Sequence, residues 1–161
     1  MVSCTEFIWA YSELFSFLDE NFGKKELIKF WKYLSKNFLQ NFEELVKRKG
    51  AYGMAEYWGH CLPEEGADYV MTVRKDFLQI KMLNCPSAEL LRKGLAKPYQ
   101  NYCEHCVWLY PPIVMKYGWK VKIDYTNYKD GICIGTYSKK SRNKKNTQSP
   151  FPYIPLNPKR H

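Results

Sequence analysis

Apolar residues recur at helical spacing over the first fifty positions, then at every second position, then at helical spacing again, and finally at every second position. That order predicts a helix pair, a hairpin, further helices and a second hairpin. Phe7, Tyr11, Leu14, Phe15, Leu18 and Phe22 share the first helical stripe. Ser3-Cys4-Thr5-Glu6 has the form of a capping box, and Gly23 suits a C-cap. A second helix is predicted over 25–49, with Leu27, Phe30, Trp31, Leu34, Phe38, Phe42 and Leu45 on its stripe and Gly50 at its end. Faces this aromatic need a sheet or a partner to cover them, which leaves room for a homodimer.

Residues 51–61 suit a short helix carrying Trp58 and His60, closed by the turn Pro63-Glu64-Glu65-Gly66. The period then changes to two. Tyr69, Met71 and Val73 form one run, and Leu78, Ile80 and Met82 the next, with Arg74-Lys75-Asp76 as the hairpin turn. Asn84-Cys85-Pro86-Ser87 switches the chain into a helix through residue 95. Another helix opens after Pro98 and Asn101 and must break at Pro111-Pro112, since proline cannot donate a backbone hydrogen bond. Trp119, Val121, Ile123 and Tyr125 alternate as a half-buried strand, Asp130-Gly131 is a hairpin signal, and 132–137 returns as its partner. Cys133 lies on the face opposite Ile132 and Ile134, and the pattern does not say which face points inward. The expected fold class is α+β: an antiparallel sheet covered by helices on one face, forming a single domain over 1–138.

The formal net charge of +9 changes this picture only at the end of the chain. Residues 139–161 hold seven basic residues, no acidic one and four of the nine prolines, so the rest carries only about +2. A basic, Pro-rich tail implies nucleic-acid contact only of a non-specific kind. No apolar run is long enough to cross a bilayer, and Glu6 and Glu13 interrupt the N-terminal apolar residues where a secretory signal would be continuous. The expected compartment is cytoplasmic. Six cysteines there read as thiols or metal ligands before disulfides.

Tyr102-Cys103-Glu104-His105-Cys106 is the densest cluster of reactive side chains. At a helix start, Cys103 and Cys106 lie one turn apart on one face. Backbone dipoles there favour thiolate, and hence either a zinc site or a nucleophile. The third reading is two small buried apolar side chains. Cys85 sits at another predicted helix start, and His60-Cys61 is a second small group of donors.

Asn84-Cys85-Pro86, the Tyr102–Cys106 segment, Gly118 and the late Cys133 together resemble the L-2-amino-thiazoline-4-carboxylic acid hydrolase-like family over about 79–139. The resemblance implies hydrolysis of a small cyclic carbon–nitrogen compound, with Cys103 and Cys133 as the matching helix and strand cysteines. Cys103 would be nucleophile or ligand, His105 or His60 a general base, and Glu104 an orienting group. Cys106 stands where the family pattern carries an acidic residue, which adds a thiol to the metal reading. The layout is also similar to vinyl-reductase-type small-molecule-binding domains. Two functions follow as expectations. One is a hydrolase acting on a cyclic C–N bond through Cys103, His105 and Glu104. The other is a non-catalytic ligand- or zinc-binding sensor domain using Cys85, Cys103, Cys106 and Cys133.

Overall fold

Alternation along 68–84 and 120–138 produces two hairpins, and they join edge to edge into one sheet. The computed structural model describes residues 4–94, 96–125 and 130–139. Among these are seven helices and four strands. The helices are α1 (Cys4–Phe22), α2 (Lys24–Phe38), α3 (Gln40–Lys49), α4 (Ala51–Glu64), α5 (Pro86–Lys93), α6 (Glu104–Leu109) and α7 (Pro111–Lys116). The strands are β1 (Asp68–Arg74), β2 (Phe77–Asn84), β3 (Lys120–Asp124) and β4 (Cys133–Ser138). The sheet is antiparallel throughout, in the order β1-β2-β4-β3. This is the α+β class expected from the pattern.

Register places Met71, Ile80, Gly135 and Ile123 in one row across the sheet, and Val73, Leu78, Tyr137 and Val121 in another. Both rows face the helices, because side chains two apart along a strand share a face. Met71, Leu78, Ile80, Met82 and Tyr137 are buried there against Phe42 and Val46 of α3, Met54, Ala55 and Trp58 of α4, and Ile113 and Val114 of α7. Cys133 has the parity of Gly135 and Tyr137, so it points into this core and Ile134 points away.

A second core holds Phe15, Leu27, Trp31, Leu91 and Tyr102, from α1, α2, α5 and the segment before α6. The predicted continuous helix over 25–49 is thereby broken. Leu39 leaves helical geometry at φ −96°, ψ 32° and is buried in the sheet-side core, while Leu27 and Trp31 belong to the other. Periodicity runs unchanged through residue 39, so it carries no trace of which core each turn joins. Gly23 and Gly50 close α1 and α3 at positive φ, as their positions suggested. Gly53 serves a different need. A Cβ there would lie 2.0 Å from the Leu45 carbonyl oxygen, so its absence lets α4 cross α3 closely.

Other boundaries differ in detail. α4 runs on to Glu64 and takes Pro63 into its last turn, where a turn was expected. α5 ends at Lys93. Pro111 and Pro112 do break the helix, and they open α7 from its first turn. On α1 the inward line includes Ser12, whose buried hydroxyl accepts a hydrogen bond from the Tyr99 N–H at 2.8 Å. Phe7, Leu14 and Phe22 of the expected stripe are exposed. Ser3 of the capping box and the tail beyond Lys139 lie outside the described residues. Among the described residues, no helix is long and apolar enough to cross a membrane.

Phe42 is fully buried between the rings of Tyr57, Trp58 and Tyr110, at centroid distances of 4.8, 4.9 and 5.5 Å. Phe42→Ala should therefore cost about 3–5 kcal/mol of unfolding free energy, the usual range for emptying a ring from a packed core. Phe22→Ala, at an exposed ring, should change stability by no more than about 0.5 kcal/mol. Urea denaturation of the two variants checks both values, and equal losses would contradict this assignment of the core.

Candidate functional site

The break at Tyr110 sends α6 towards α2 and α7 onto the sheet. This leaves a cavity of about 240 Å³ between α4, α6, the start of α5 and the β2-β4-β3 face. Its wall is mostly apolar: Trp58, Ile80, Met82, Tyr102, Tyr110, Ile123 and Tyr137 all contribute. Gly135 forms part of the floor, where a Cβ would press on the Tyr137 ring at 3.2 Å. The side chains of five of the six cysteines are described, and all five are free. All five (Cys61, Cys85, Cys103, Cys106 and Cys133) line this one cavity. The four cysteines singled out from sequence thus do converge, although they come from three separate parts of the fold.

Their electrostatics run against the expectation of a thiolate. Burial pushes the Cys103 thiol far above its ordinary range, and the neighbouring Cys106, Cys85 and Cys133 add to the rise. Burial pushes Cys106 up to about 12, with the Glu65 carboxylate second. Cys133 also rises to about 12, first through burial and then through Cys106 and Cys85. Cys85 is raised for the same first reason. Helix α6 has only six residues, and Cys103 sits at its cap. The desolvation cost of a buried thiolate outweighs what so short a helix can return.

Among the described residues, no three His, Cys, Asp or Glu side chains are arranged to hold one ion. The zinc-site expectation for Cys85, Cys103, Cys106 and Cys133 is not supported by this geometry.

His105 lines the cavity, but it meets Cys106 and not Cys103. Its Nδ1 lies 2.5 Å from the Tyr102 carbonyl oxygen. A carbonyl can only accept, so Nδ1 carries the proton and Nε2 is bare in the neutral ring. Nε2 faces the Cys106 Sγ at 3.5 Å. Burial lowers the His105 pKa, which keeps the ring neutral. Glu104 turns away from the cavity and pairs with Lys24 at 2.5 Å. Lys24 also donates to the Tyr99 hydroxyl at 2.9 Å, and Tyr99 donates to Asp19 at 2.6 Å. Glu104 therefore fastens α6 to α2 and α1, and it does not orient His105. His60 is exposed beside Glu64 at 3.7 Å, whereas its neighbour Cys61 faces inward.

Sequence reasoning missed Glu65. It looked like a turn residue, yet among the described residues it is the one acidic side chain in the wall. It is exposed at the rim, and the surrounding protein raises its pKa by desolvation. Trp58, Tyr110 and Tyr137 serve as both core and wall. Among the described residues, no lysine or arginine lines the cavity, although the chain has 25 of them.

Neutral thiols give two measurable consequences. Iodoacetamide should label all five more slowly at pH 7.5 than a free cysteine, by at least about tenfold, with no change on adding a chelator. Mass spectrometry reads this site by site, and rapid labelling of Cys103 or Cys106 would contradict it. Stability should also depend on pH. The unfolded thiols ionise near 8.5, while folded Cys106 and Cys133 hold their protons up to about 12. Their contribution is then complete below about 8.5 and is lost as pH rises towards 12. Cys106→Ala should flatten the decline of the urea midpoint between about pH 9 and pH 11.

No family model matches this chain, and no curated protein or solved structure matches it either.

Proposed function

We propose that this chain is a small-molecule-binding domain that takes a compact, largely apolar ligand into the cavity between its sheet and helices, without catalysis. The observation that supports this reading is the character of the wall. It combines aromatic rings, aliphatic side chains and protonated thiols, with no lysine or arginine among the described residues. Sulfur is soft and polarisable, so a neutral thiol contacts rings and hydrocarbon favourably. Concave apolar sites with a few polar groups are where proteins bind small ligands. The resemblance in layout to vinyl-reductase-type small-molecule-binding domains agrees with this function, although a shared layout does not fix one.

The hydrolase is the second reading, favoured by one contact: the bare Nε2 of His105 lies 3.5 Å from the Cys106 Sγ. That is the arrangement of a thiol and its general base, although the distance exceeds a tight hydrogen bond. Cys106 would be the nucleophile in place of Cys103, and Glu104 would take no part. Two facts weigh against it. The proton would have to pass from a thiol with a raised pKa to an imidazole with a lowered one. Among the described residues, a thiazoline carboxylate would also meet no lysine or arginine in the wall.

Trp58 reports on the site directly, since it lines the cavity. A neutral apolar probe that does not absorb with tryptophan, such as toluene, should shift the tryptophan emission saturably and raise the thermal midpoint, and Trp58→Phe should remove the emission change while keeping the midpoint shift. Cys133→Phe should fill the space and abolish both effects while the unliganded midpoint falls by only a few degrees. Saturable binding that survives Cys133→Phe would move the ligand elsewhere. Turnover of a cyclic amidine or thiazoline that disappears in both Cys106→Ala and His105→Gln would favour the hydrolase instead.

A further inference from the structure

The chain carries a formal charge of +9, and its lysines and arginines outnumber its acidic residues by 25 to 16. The cavity reverses that balance. Among the described residues, its lining includes no lysine or arginine, and its one acidic member is Glu65. Among the described residues, Glu65 has no salt bridge. The partnered carboxylates of α4 are its neighbours instead, Glu56 with Lys49 at 2.6 Å and Glu64 with His60 at 3.7 Å. Glu65 and Tyr125 are the two exposed residues of the wall, so the carboxylate stands at the rim and not at the floor. Inside the rim lie the rings of Trp58, Tyr102, Tyr110 and Tyr137. Trp58 and Tyr137 are 5.1 Å apart by centroid, and Trp58 and Tyr110 are 5.3 Å apart.

A rim carboxylate over aromatic rings is complementary to one kind of molecule. An anion would be repelled by Glu65 and, among the described residues, would find no cation in the wall to hold it. A neutral apolar molecule would leave the carboxylate to water alone. An ammonium would pair with the carboxylate, and its hydrocarbon part would occupy the thiol- and ring-lined interior. One carboxylate among the described wall residues matches a ligand with one positive charge.

We infer that the cavity selects a small hydrophobic monoamine, with its ammonium held by Glu65 at the rim and its apolar body among Trp58, Tyr110, Tyr137 and the cysteines. This rests on the binding function proposed above and specifies its ligand class. His105 does not compete for the ammonium's place. Its protonated Nδ1 is committed to the Tyr102 carbonyl, and its Nε2 is turned towards Cys106.

The test uses the full chain and three probes built on one skeleton: 3-phenylpropylamine, 3-phenylpropan-1-ol and 3-phenylpropionate. Calorimetry at pH 7.5 should find the amine bound at least tenfold more tightly than the alcohol, and the carboxylate not measurably bound. In Glu65→Gln the amine should fall to within about twofold of the alcohol, while the alcohol keeps its wild-type affinity. Glu64→Gln, one residue away and paired with His60, should leave the amine preference intact. Equal binding of amine and alcohol to the wild-type chain would overturn the inference and leave the binding function standing. So would an amine preference that persists in Glu65→Gln. Failure of all three probes, together with failure of toluene in the fluorescence assay, would overturn both.

Discussion

An aromatic chain holds this domain together. Phe42 of α3, Tyr57 and Trp58 of α4, Tyr110 at the α6–α7 junction and Tyr137 of β4 stack edge to face or tilted, each ring within 6.4 Å of the next. Offset and edge contacts of this type add to the burial of the rings themselves. The chain begins under α3 and ends on the sheet, so it fixes how far the helices stand from the strands. That separation creates the cavity. Trp58, Tyr110 and Tyr137 each present one side to the aromatic chain and another to the open space.

Polar anchoring is concentrated elsewhere, at the joint between α1, α2 and α6. Asp19, Tyr99, Lys24 and Glu104 form a run of charge-assisted contacts there, and the Ser35 hydroxyl donates to the Leu109 carbonyl oxygen at 2.6 Å. These bonds position the cysteine-bearing helix without entering the cavity. The wall of the cavity, by contrast, is mainly thiols, rings and hydrocarbon.

Much of the architecture was legible because it rests on periodicity and punctuation. Alternation gave both hairpins, Lys75-Asp76 and Asp130-Gly131 fell at turns, and Pro111-Pro112 marked a true break. The break at Leu39 was not legible, because a bend made by long-range packing need not disturb the local pattern. The site was half legible. The density of thiols near 85–106 pointed to the right region, and Cys133 joined it once β4 had a face. The ionisation state was misread, since spacing reports helix starts but not burial, and burial dominates here. Glu104 and Glu65 exchanged roles for a related reason. Their positions along the chain say nothing about which way each carboxylate turns in three dimensions.

Gly135 carries a consequence of another kind. It sits in the middle of the sheet, in a row otherwise filled by Met71, Ile80 and Ile123. The Tyr137 ring leans over the space where its side chain would be. The floor of the cavity is therefore a gap in a row of side chains, not a gap between secondary-structure elements. Its depth is encoded at a single codon. Lineages that exchange this glycine for a larger residue would inherit the same strand order and the same helices, but with a shallower chamber. Ligand size can thus diverge here without any change of topology.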